Sequence, residues 1–380
     1  MTNKNSRPND NQRLYYLSFN HFAKIGPNQL QKLENYFSDL EPAFKASRGE
    51  LEKAGLRSKI SAEFLSWRKS FDLNRAVEEL EKEKIKFITW HEPDYPPLLK
   101  EIPAAPPLLY YKGILSGELK SRLAVVGSRQ PSAYAEKLID ELLPEVMASR
   151  IDIVSGLALG VDSLAHRAAL KHGGPTLAVL GSGLNSAHIY PRHHCRLAEE
   201  IIADGGALIS EFSPSTPAYK QNFPQRNRLI SGLCQATLVI EAQARSGSLI
   251  TANYALEQNR EVLAVPGNIF SEFSIGTNQL IKVGAKTVVA AADILEVFGI
   301  TSEIENPIAP SRAKTSYRPK DKIESAVYNI IKKADERSEK ITTDEIIKLT
   351  KLDTSTINST LSILEIRGII RNNASGYDLY

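Results

Sequence analysis

A short stretch of the chain, FPQRNRLISG at residues 223–232, combines two arginines, an asparagine and an aromatic ring. It lies in a window, residues 212–240, that contains no Asp or Glu. The two arginines alternate along the chain, so only a loop or the start of a helix can direct both to one place. Cations that hold phosphates and a ring that stacks on a base are typical of a site for single-stranded nucleic acid. The residues of this window that we expect to contact a strand are Lys220, Phe223, Arg226, Asn227 and Arg228.

The loop VVGSRQPS offers a second place for a phosphate. Gly127 follows an apolar run and permits a tight exit from a strand, and Ser132 is suited to cap the next helix. The free amides of a helix N-terminus attract phosphate, and Arg129 adds a guanidinium that can donate two hydrogen bonds. We therefore expect Gly127, Ser128 and Arg129 to contact the strand.

Two further turns follow apolar runs directly, at the position where open parallel sheets bind ligands. One begins the stretch SGLALGVDSLAH, and the other lies in ARSGSLITANYALEQ. Small hydroxyls and backbone amides at a strand-to-helix turn suit one more phosphate. The residues expected to contribute there are Ser155, Gly156, Ser246, Gly247, Ser248 and Thr251.

Other residues permit different chemistry. Asp162 and His166 are four positions apart on one predicted helix face, which is compatible with a general-base pair. The alternative is a capping Asp and a packing His. No nucleophile that would complete a catalytic triad with them is apparent. A second cluster contains His188, His193, His194 and Cys195, but its spacing matches no common zinc site, so we expect no metal.

Elsewhere the predicted sheet edge is also poor in acids. No Asp or Glu occurs in residues 163–198, which include Arg167, Lys171, Arg192 and Arg196. Together with the window at 212–240, this predicts a locally basic carboxyl edge in a nearly neutral protein. The alternative is that acid-free windows arise by chance in apolar regions.

The elements that must position these loops are short apolar strands alternating with helices between residues 121 and 300. Runs such as LAVVG, IDIVSG, TLAVLG and ATLVIEA are each followed by a helical pattern. This alternation predicts an α/β fold with a doubly wound, mostly parallel sheet.

The flanking regions differ from this pattern. Residues 91–112 are rich in proline, which predicts an extended connection that is neither helix nor central strand. The charged run EELEKEK reads as a solvated helix face. The predicted organisation is a disordered tail at 1–13, a helical domain at 14–90, a connection at 91–120, the α/β domain at 121–300, a linker at 301–320 and a winged helix at 321–380.

Composition narrows the class of protein. The chain has 380 residues and a formal net charge of +3, so bulk charge identifies no partner. Two cysteines far apart in sequence fit a reducing compartment. No secretory signal or apolar run long enough to span a bilayer is visible, and we expect a cytoplasmic protein.

The ordered blocks VGSRQPSAYAE, SGLALGVDSLAHRAAL, LAVLGSGLNSAHIYP, SEFSPSTPAYKQNFPQRNRLISGL and IEAQARSGSLITANYALEQNREVLAVPG resemble the DNA-processing protein A family, also called DprA or Smf. The resemblance is dense over roughly residues 90–295, and the flanking domains agree in type. It implies an extended Rossmann-like domain, a helical N-terminal domain of SAM or helix-hairpin-helix type and a C-terminal winged helix.

The resemblance further implies a homodimer that binds single-stranded DNA and loads the recombinase RecA onto it during natural transformation or homologous recombination. It implies no catalysis, no cofactor and no nucleotide requirement. The family's DNA pocket maps onto Arg129, Lys220 and Phe223. The chain departs from the family at His193 and His194, where Glu-Asn or a similar pair is usual after Tyr-Pro, and at Cys234, where Ser is common.

Two rival functions remain open. One is a nucleotide hydrolase of the lysine-decarboxylase-like phosphoribohydrolase type, although the turn Ala-Arg-Ser-Gly-Ser-Leu-Ile-Thr lacks that class's Pro-Gly-Gly-x-Gly-Thr pattern. The other is a transcription factor that senses a nucleotide. The presumed recognition helix, TSTINSTLSILEI, contains no Lys or Arg, which argues against it.

Overall fold

The computed structural model of the protein divides into two compact units, Met1–Ile304 and Glu305–Tyr380. The residues that the structure describes are 10–115, 120–300, 319, 321–336, 340–367, 369–373 and 376–379. The expected linker at 301–320 therefore lies almost wholly outside the described residues, as does most of the expected tail at 1–13.

The first unit contains a nine-stranded sheet in the order β1-β2-β6-β5-β4-β3-β7-β8-β9. In this order, every pair of neighbouring strands from β6 through β5, β4, β3, β7 and β8 to β9 is parallel. Strand β2 is antiparallel to both of its neighbours, β1 and β6. The expectation of a doubly wound, mostly parallel sheet is confirmed. The strands are β1 (Lys86–Thr89), β2 (Leu108–Gly113), β3 (Arg122–Val126), β4 (Asp152–Ser155), β5 (Thr176–Val179), β6 (Ala207–Ser210), β7 (Ala236–Val239), β8 (Glu261–Ala264) and β9 (Lys286–Thr287).

Helices cover both faces of this sheet because successive strand residues point to opposite sides. Leu177 and Val179 of β5 pack in one apolar cluster with Leu229 and Leu280, whereas Ala178 packs on the other face. The helices of the first unit are α1 (Asp10–Asn20), α2 (Pro27–Phe37), α3 (Leu40–Lys45), α4 (Arg48–Lys53), α5 (Ser58–Arg68), α6 (Leu73–Lys82), α7 (Pro97–Lys100), α8 (Ala133–Ala148), α9 (Val161–Lys171), α10 (Cys195–Ala203), α11 (Asn222–Gly232), α12 (Gly247–Glu257), α13 (Ile275–Lys282) and α14 (Ala291–Val297).

The order in which the chain adds strands to the sheet reverses beside β3. The chain runs from β3 through β4 and β5 to β6, and then returns to place β7 on the other side of β3. In open α/β sheets, this switch point leaves a crevice outside the carboxyl ends of the strands. We call the loops that follow β3–β8 the carboxyl edge.

The N-terminal helices, α1–α6, share an apolar cluster with the sheet. Tyr16 and Phe64 belong to the same cluster as Leu108, Tyr110 and Leu208 of strands β2 and β6. Residues 10–13, expected in a disordered tail, form the first turn of α1 instead. Arg13 fixes that turn through an ion pair with Glu92 at 3.1 Å.

The proline-rich segment departs from its prediction. It contains the short helix α7, and Leu108–Gly113 is an interior strand that pairs with both β1 and β6. The sequence allows this because no proline follows Pro107 within the segment, and Leu109 and Tyr110 are fully buried. The prolines surround the strand rather than interrupt it.

The second unit has its own small core. It contains α15 (Lys322–Glu336), α16 (Thr343–Thr350) and α17 (Thr354–Ile366), followed by an antiparallel hairpin of β10 (Ile370–Asn373) and β11 (Gly376–Leu379). Three helices and a hairpin follow one another as the winged-helix interpretation requires. Within the described residues of the whole chain, no helix is both long and apolar enough to cross a bilayer.

Candidate nucleic-acid interface

A cation and two aromatic rings meet at the carboxyl edge. The guanidinium of Arg129, in the loop after β3, lies 5.7 Å from the centroid of the Phe223 ring at the start of α11. The ring of Tyr190, in the loop after β5, lies 5.7 Å from that of Phe223 at an angle of 52°. Arg129 and Tyr190 are exposed and Phe223 is half-buried, so all three side chains present surface to an incoming ligand.

The turn that carries Arg129 is stabilised by a hydrogen bond of the Ser128 side chain and by close packing against Gly160. Ser128 is buried, and its hydroxyl donates to the carbonyl of Gln130 at 2.8 Å. Gly160 has a φ of 78°, and a Cβ there would lie 2.3 Å from the carbonyl oxygen of Ser128. Only glycine permits this close packing of the α9 start against the turn. Gly127 leads directly out of β3, as expected, and Ser128 supports the turn rather than facing outward.

The start of α8 does not offer the free amides that we expected for a phosphate. Ser132 is the N-cap and accepts hydrogen bonds from the amides of Tyr134 and Ala135, which confirms its predicted role. The amide of Ser132 donates to the buried carboxylate of Glu241 at 3.0 Å. An acid therefore already occupies this helix N-terminus, and Arg129 alone remains for a phosphate.

Free positive charge at the carboxyl edge comes from few residues. Lys220, in the loop before α11, is exposed, as are Arg192 and Arg245. Among the described residues, none of these three makes an ion pair, and the same holds for Arg129. These side chains give the edge its uncompensated cations. 

The wider basic edge predicted from residues 163–198 is only partly present. Lys171 ends α9, and helices of a doubly wound sheet run antiparallel to the strands, so this end lies at the opposite edge. Lys171 lies 3.7 Å from Asp140, and Arg196 pairs with Glu200 at 3.0 Å. Acids outside the acid-free window thus neutralise part of its charge.

Arg226 is a structural residue, contrary to our expectation. FPQRNRLISG is helical, so Arg226 and Arg228 point to different sides of α11. Arg226 is 3% exposed and donates to the carbonyl oxygens of Gly156, at 2.6 Å, and Val179. Burial lowers the pKa of its guanidinium to about 10, while the carboxylate of Asp162 opposes the shift.

Arg228 is likewise unavailable to a strand. It is buried and forms an ion pair with Glu211, which precedes the acid-free window. Burial raises the pKa of the Glu211 carboxyl, and the neighbouring Arg228 charge counteracts this rise. The acid that balances the positive stretch is therefore close in space although distant in sequence.

The remaining predicted contacts fall into two groups. Ser155, Ser248 and Thr251 are buried, and the Ser155 hydroxyl donates to the carbonyl of Val125 at 2.6 Å. Gly156 is also interior, and a Cβ there would lie 2.5 Å from Nη1 of Arg226. The accessible members are Asn227, Ser246 and Gly247, and Asn227 donates to the carbonyl of Gly247 at 3.3 Å.

Asp162 and His166 do not form a general-base pair. Asp162 accepts hydrogen bonds from the amides of Gly156 and Ala158, at 3.0 and 3.4 Å. His166 is fully buried, and its Nδ1 lies 2.8 Å from Oγ1 of Thr176. Desolvation, reinforced by the charges of His194 and Arg226, lowers the pKa of His166 to about 3. The capping and packing alternative describes both residues.

The histidine cluster also has a structural explanation. His194 is buried, and its Nδ1 lies 2.8 Å from the carbonyl oxygen of Leu157, whereas His193 is exposed. No group of three or more His, Cys, Asp or Glu side chains that could hold a metal ion occurs in the described part of the chain. The departure at His193 and His194 thus places one histidine in the interior.

Helix α6 and its C-cap Glu83 tie down the loops that carry the site, so the run EELEKEK is a solvated face at only part of its charged residues. Glu79 accepts hydrogen bonds from Nδ2 of Asn185, at 3.2 Å, and from the hydroxyl of Ser215. Glu83 accepts from the amide and hydroxyl of Ser186, at 3.2 and 2.8 Å. The loops after β5 and β6 continue from these anchors to Tyr190 and Lys220.

Tyr190 is the member of the site that sequence reasoning missed. It lies in the block LAVLGSGLNSAHIYP, next to the histidine cluster that was weighed only as a metal site. An aromatic residue in a loop directly after a predicted strand, on the same edge as Phe223, is a signal that could have identified it.

These features define a doubly wound α/β protein whose switch-point loops present cations and aromatic rings at the surface. Comparison with known families specifies it further: residues 86–299 match the family DNA recombination-mediator protein A. The chain belongs to this family.

Its relatives agree with that assignment. Protein Smf of Synechocystis is 32% identical over 95% of this chain and 97% of its own length. The DNA processing protein DprA of Streptococcus pneumoniae is 43% identical over 58% of this chain and 77% of its own. The crystal structure of that DprA superimposes with a TM-score of 0.65 and 35% identity, covering 76% of this chain and 98% of the other. The relative from Streptococcus pneumoniae is named as a DNA-processing protein.

Proposed function

We propose that the protein binds single-stranded DNA without sequence specificity at the carboxyl edge. The observation that carries this proposal is the stacking of Arg129 on Phe223, beside Tyr190 and at the switch point of the sheet. Arg129 and Lys220 hold backbone phosphates, and the two rings offer faces to unstacked bases. A duplex cannot use the rings in this way because its bases are already stacked on one another.

The contacts with the strand come from loops held by rigid elements. Asn227 lies in the second turn of α11, and Ser246 and Gly247 lie at the start of α12; they contribute amides and small polar groups to the same edge. Arg226, Arg228, Ser155, Gly156, Ser248 and Thr251 act beneath the surface and keep those loops in place. None of these contacts reads a base edge, so affinity is independent of sequence.

The bound strand is then delivered to the recombinase RecA without hydrolysis of a nucleotide by this protein. This part of the proposal rests on the family to which the chain belongs. RecA needs access to a strand, and a protein that holds bases by one face from a shallow edge leaves the rest of the strand open. The process served is homologous recombination, including the uptake of DNA by transformable hosts.

We also propose that the protein acts as a homodimer. On either side of β9 in the sequence, at the end of the sheet, Val283 and Val289 are 71% and 75% exposed. Large exposed apolar side chains at a sheet end are suited to a second copy of the same surface. Sedimentation at several concentrations tests this, and Val289→Glu should shift the population toward the monomer. A wild-type protein that remains monomeric at all concentrations would overturn the dimer.

The DNA proposal is tested by salt-dependent binding of a fluorescent poly-dT oligonucleotide and of its duplex. The wild type should prefer the single strand, and Arg129→Ala and Lys220→Ala should each weaken binding of any sequence. Each lost phosphate contact should reduce the slope of log affinity against log salt by about 0.7. Lys171→Ala, which removes a lysine at the opposite edge, is the matched control and should change neither quantity. Equal affinity of all four proteins, or no preference for single strands, would refute the site.

A further inference from the structure

A cavity of about 420 Å³ lies among the N-terminal helices. Three aromatic rings line it together with two cations, and the lining includes Tyr15, Phe44, Lys45, Arg68 and Phe71. A volume of this size is typical of small-molecule sites, which run from about 300 to 1,000 Å³. Neither the carboxyl edge nor its proposed function uses this cavity.

The aromatic walls are held by packing on one side and open on the other. The rings of Tyr15 and Phe44 lie 5.6 Å apart, and Phe71 stacks on Trp67 at 4.6 Å with an angle of 27°. All three lining rings are half-buried, so their outer faces reach the cavity. Such faces accept a flat aromatic ligand at little cost in side-chain ordering.

Arg68 gives the cavity an unbalanced charge. Its guanidinium donates to the carbonyl oxygens of Phe44 and, at 3.1 Å, Ala46, and lies 5.9 Å from the centroid of the Phe44 ring. Among the described residues it has no carboxylate partner, whereas Lys45 pairs with Glu41 at 2.6 Å. Partial burial removes the guanidinium from water, and this desolvation lowers the pKa of Arg68. A half-buried guanidinium without an acid is favourable for an anion.

We propose that this cavity binds a nucleotide, with the base among Tyr15, Phe44 and Phe71 and the phosphate on Arg68. The combination of stacking faces and one unpaired cation fits a ligand that is aromatic at one end and anionic at the other. The nucleotide is either a free monophosphate or one unit of a DNA strand. This site stands or fails independently of the carboxyl edge.

The test is calorimetric titration of the full chain with dAMP, deoxyadenosine and inorganic phosphate. We expect saturable binding of dAMP and weaker binding of the other two, because deoxyadenosine lacks the phosphate and inorganic phosphate lacks the base. Arg68→Gln should weaken dAMP binding at least about tenfold, as expected for a lost charge-assisted hydrogen bond, and leave deoxyadenosine unchanged. Arg57→Gln, an exposed arginine on the same helical region, should behave as the wild type. No saturable heat with dAMP, or equal affinity of Arg68→Gln, would overturn the proposal.

Further variants separate folding from binding and distinguish the two sources. Phe71→Leu keeps an apolar side chain but removes a stacking ring, so it should still weaken the binding of dAMP. The proposal therefore remains testable if Arg68→Gln fails to fold. Arg129→Ala with Lys220→Ala should retain dAMP binding, which distinguishes this site from the carboxyl edge. Weaker binding of a long oligonucleotide by Arg68→Gln identifies the ligand as part of a strand, and an unchanged one identifies a free nucleotide.

Discussion

Arg129 and Phe223, about a hundred positions apart in sequence, stack at the centre of the carboxyl edge with Cζ 5.7 Å from the ring centroid. The contact keeps an exposed guanidinium in one place without the carboxylate that usually orients it. A cation held by a ring retains its full charge for a phosphate. The same ring remains partly exposed for a base, so the two residues bind neighbouring parts of one nucleotide.

Replacing Phe223 should affect affinity without affecting its salt dependence. Phe223→Ala should lose about 1–3 kcal/mol of binding free energy, the usual contribution of one stacked base. The slope of log affinity against log salt should stay near that of the wild type, since no phosphate contact is removed. Titrations of poly-dT at several salt concentrations measure both quantities. Phe223→Tyr is the control and should bind nearly as the wild type does; a steep loss in that variant would contradict a stacking role.

Removing Arg228 should destabilise the fold rather than only weaken DNA binding. Arg228→Met leaves Glu211 buried without its partner, which should cost about 3–5 kcal/mol of unfolding free energy. Chemical denaturation followed by circular dichroism measures this. Lys220→Met, an exposed lysine just before the same helix, should change stability by less than about 0.5 kcal/mol. A stable Arg228→Met protein that binds DNA poorly would indicate instead that Arg228 contacts the DNA.

The anchor at Glu79 should influence a site that it does not touch. Glu79→Ala releases Asn185 and Ser215, and the loops leading to Tyr190 and Lys220 lose that support. We expect poly-dT affinity to fall by about 0.5–1.5 kcal/mol per lost hydrogen bond, with an unchanged salt slope. Glu78→Ala, at the exposed neighbouring position, is the control. Unaltered affinity in Glu79→Ala would show that the loops hold themselves.

His166 should make stability depend on pH. Its pKa is about 3 in the folded protein and near 6.5 when unfolded, so the unfolded chain binds the extra proton between these values. Stability therefore falls as the pH drops below about 6.5, by about 2 kcal/mol at pH 5 from this group alone. Comparison of denaturation curves for the wild type and His166→Gln at pH 7 and pH 5 isolates this contribution, which the variant should lack. His172→Gln, an exposed histidine, should retain the wild-type pH dependence.

The strand pattern and the turn at Arg129 were predictable because local sequence determines them. Apolar runs alternate with helical patterns, and Ser132 and Ser246 are caps as their positions before a helix suggest. The family resemblance indicated Arg129, Lys220 and Phe223 as pocket residues, and the structure leaves all three accessible. Whether they bind DNA remains a prediction.

Charge pairing across the fold was not predictable from the sequence. Arg226 and Arg228 resemble free cations because their partners are two backbone carbonyls and a carboxylate from outside the acid-free window. The absence of acidic residues from a stretch of sequence does not mean that no carboxylate lies near that stretch in the folded protein. The interior position of β2 was missed for a related reason: the proline content of the whole segment concealed a proline-free strand within it.

That strand also determines how small a working fragment of the protein can be. A truncation that begins at residue 120 removes β2 and leaves β6 with an unpaired edge, which invites aggregation between copies. A truncation that begins at Lys86 keeps this edge paired but uncovers Tyr110 and Leu208, which α1–α6 otherwise shield. The N-terminal helices are therefore part of the minimal sheet unit, and proteolysis should degrade the first unit as a whole rather than release a stable Rossmann-like fragment.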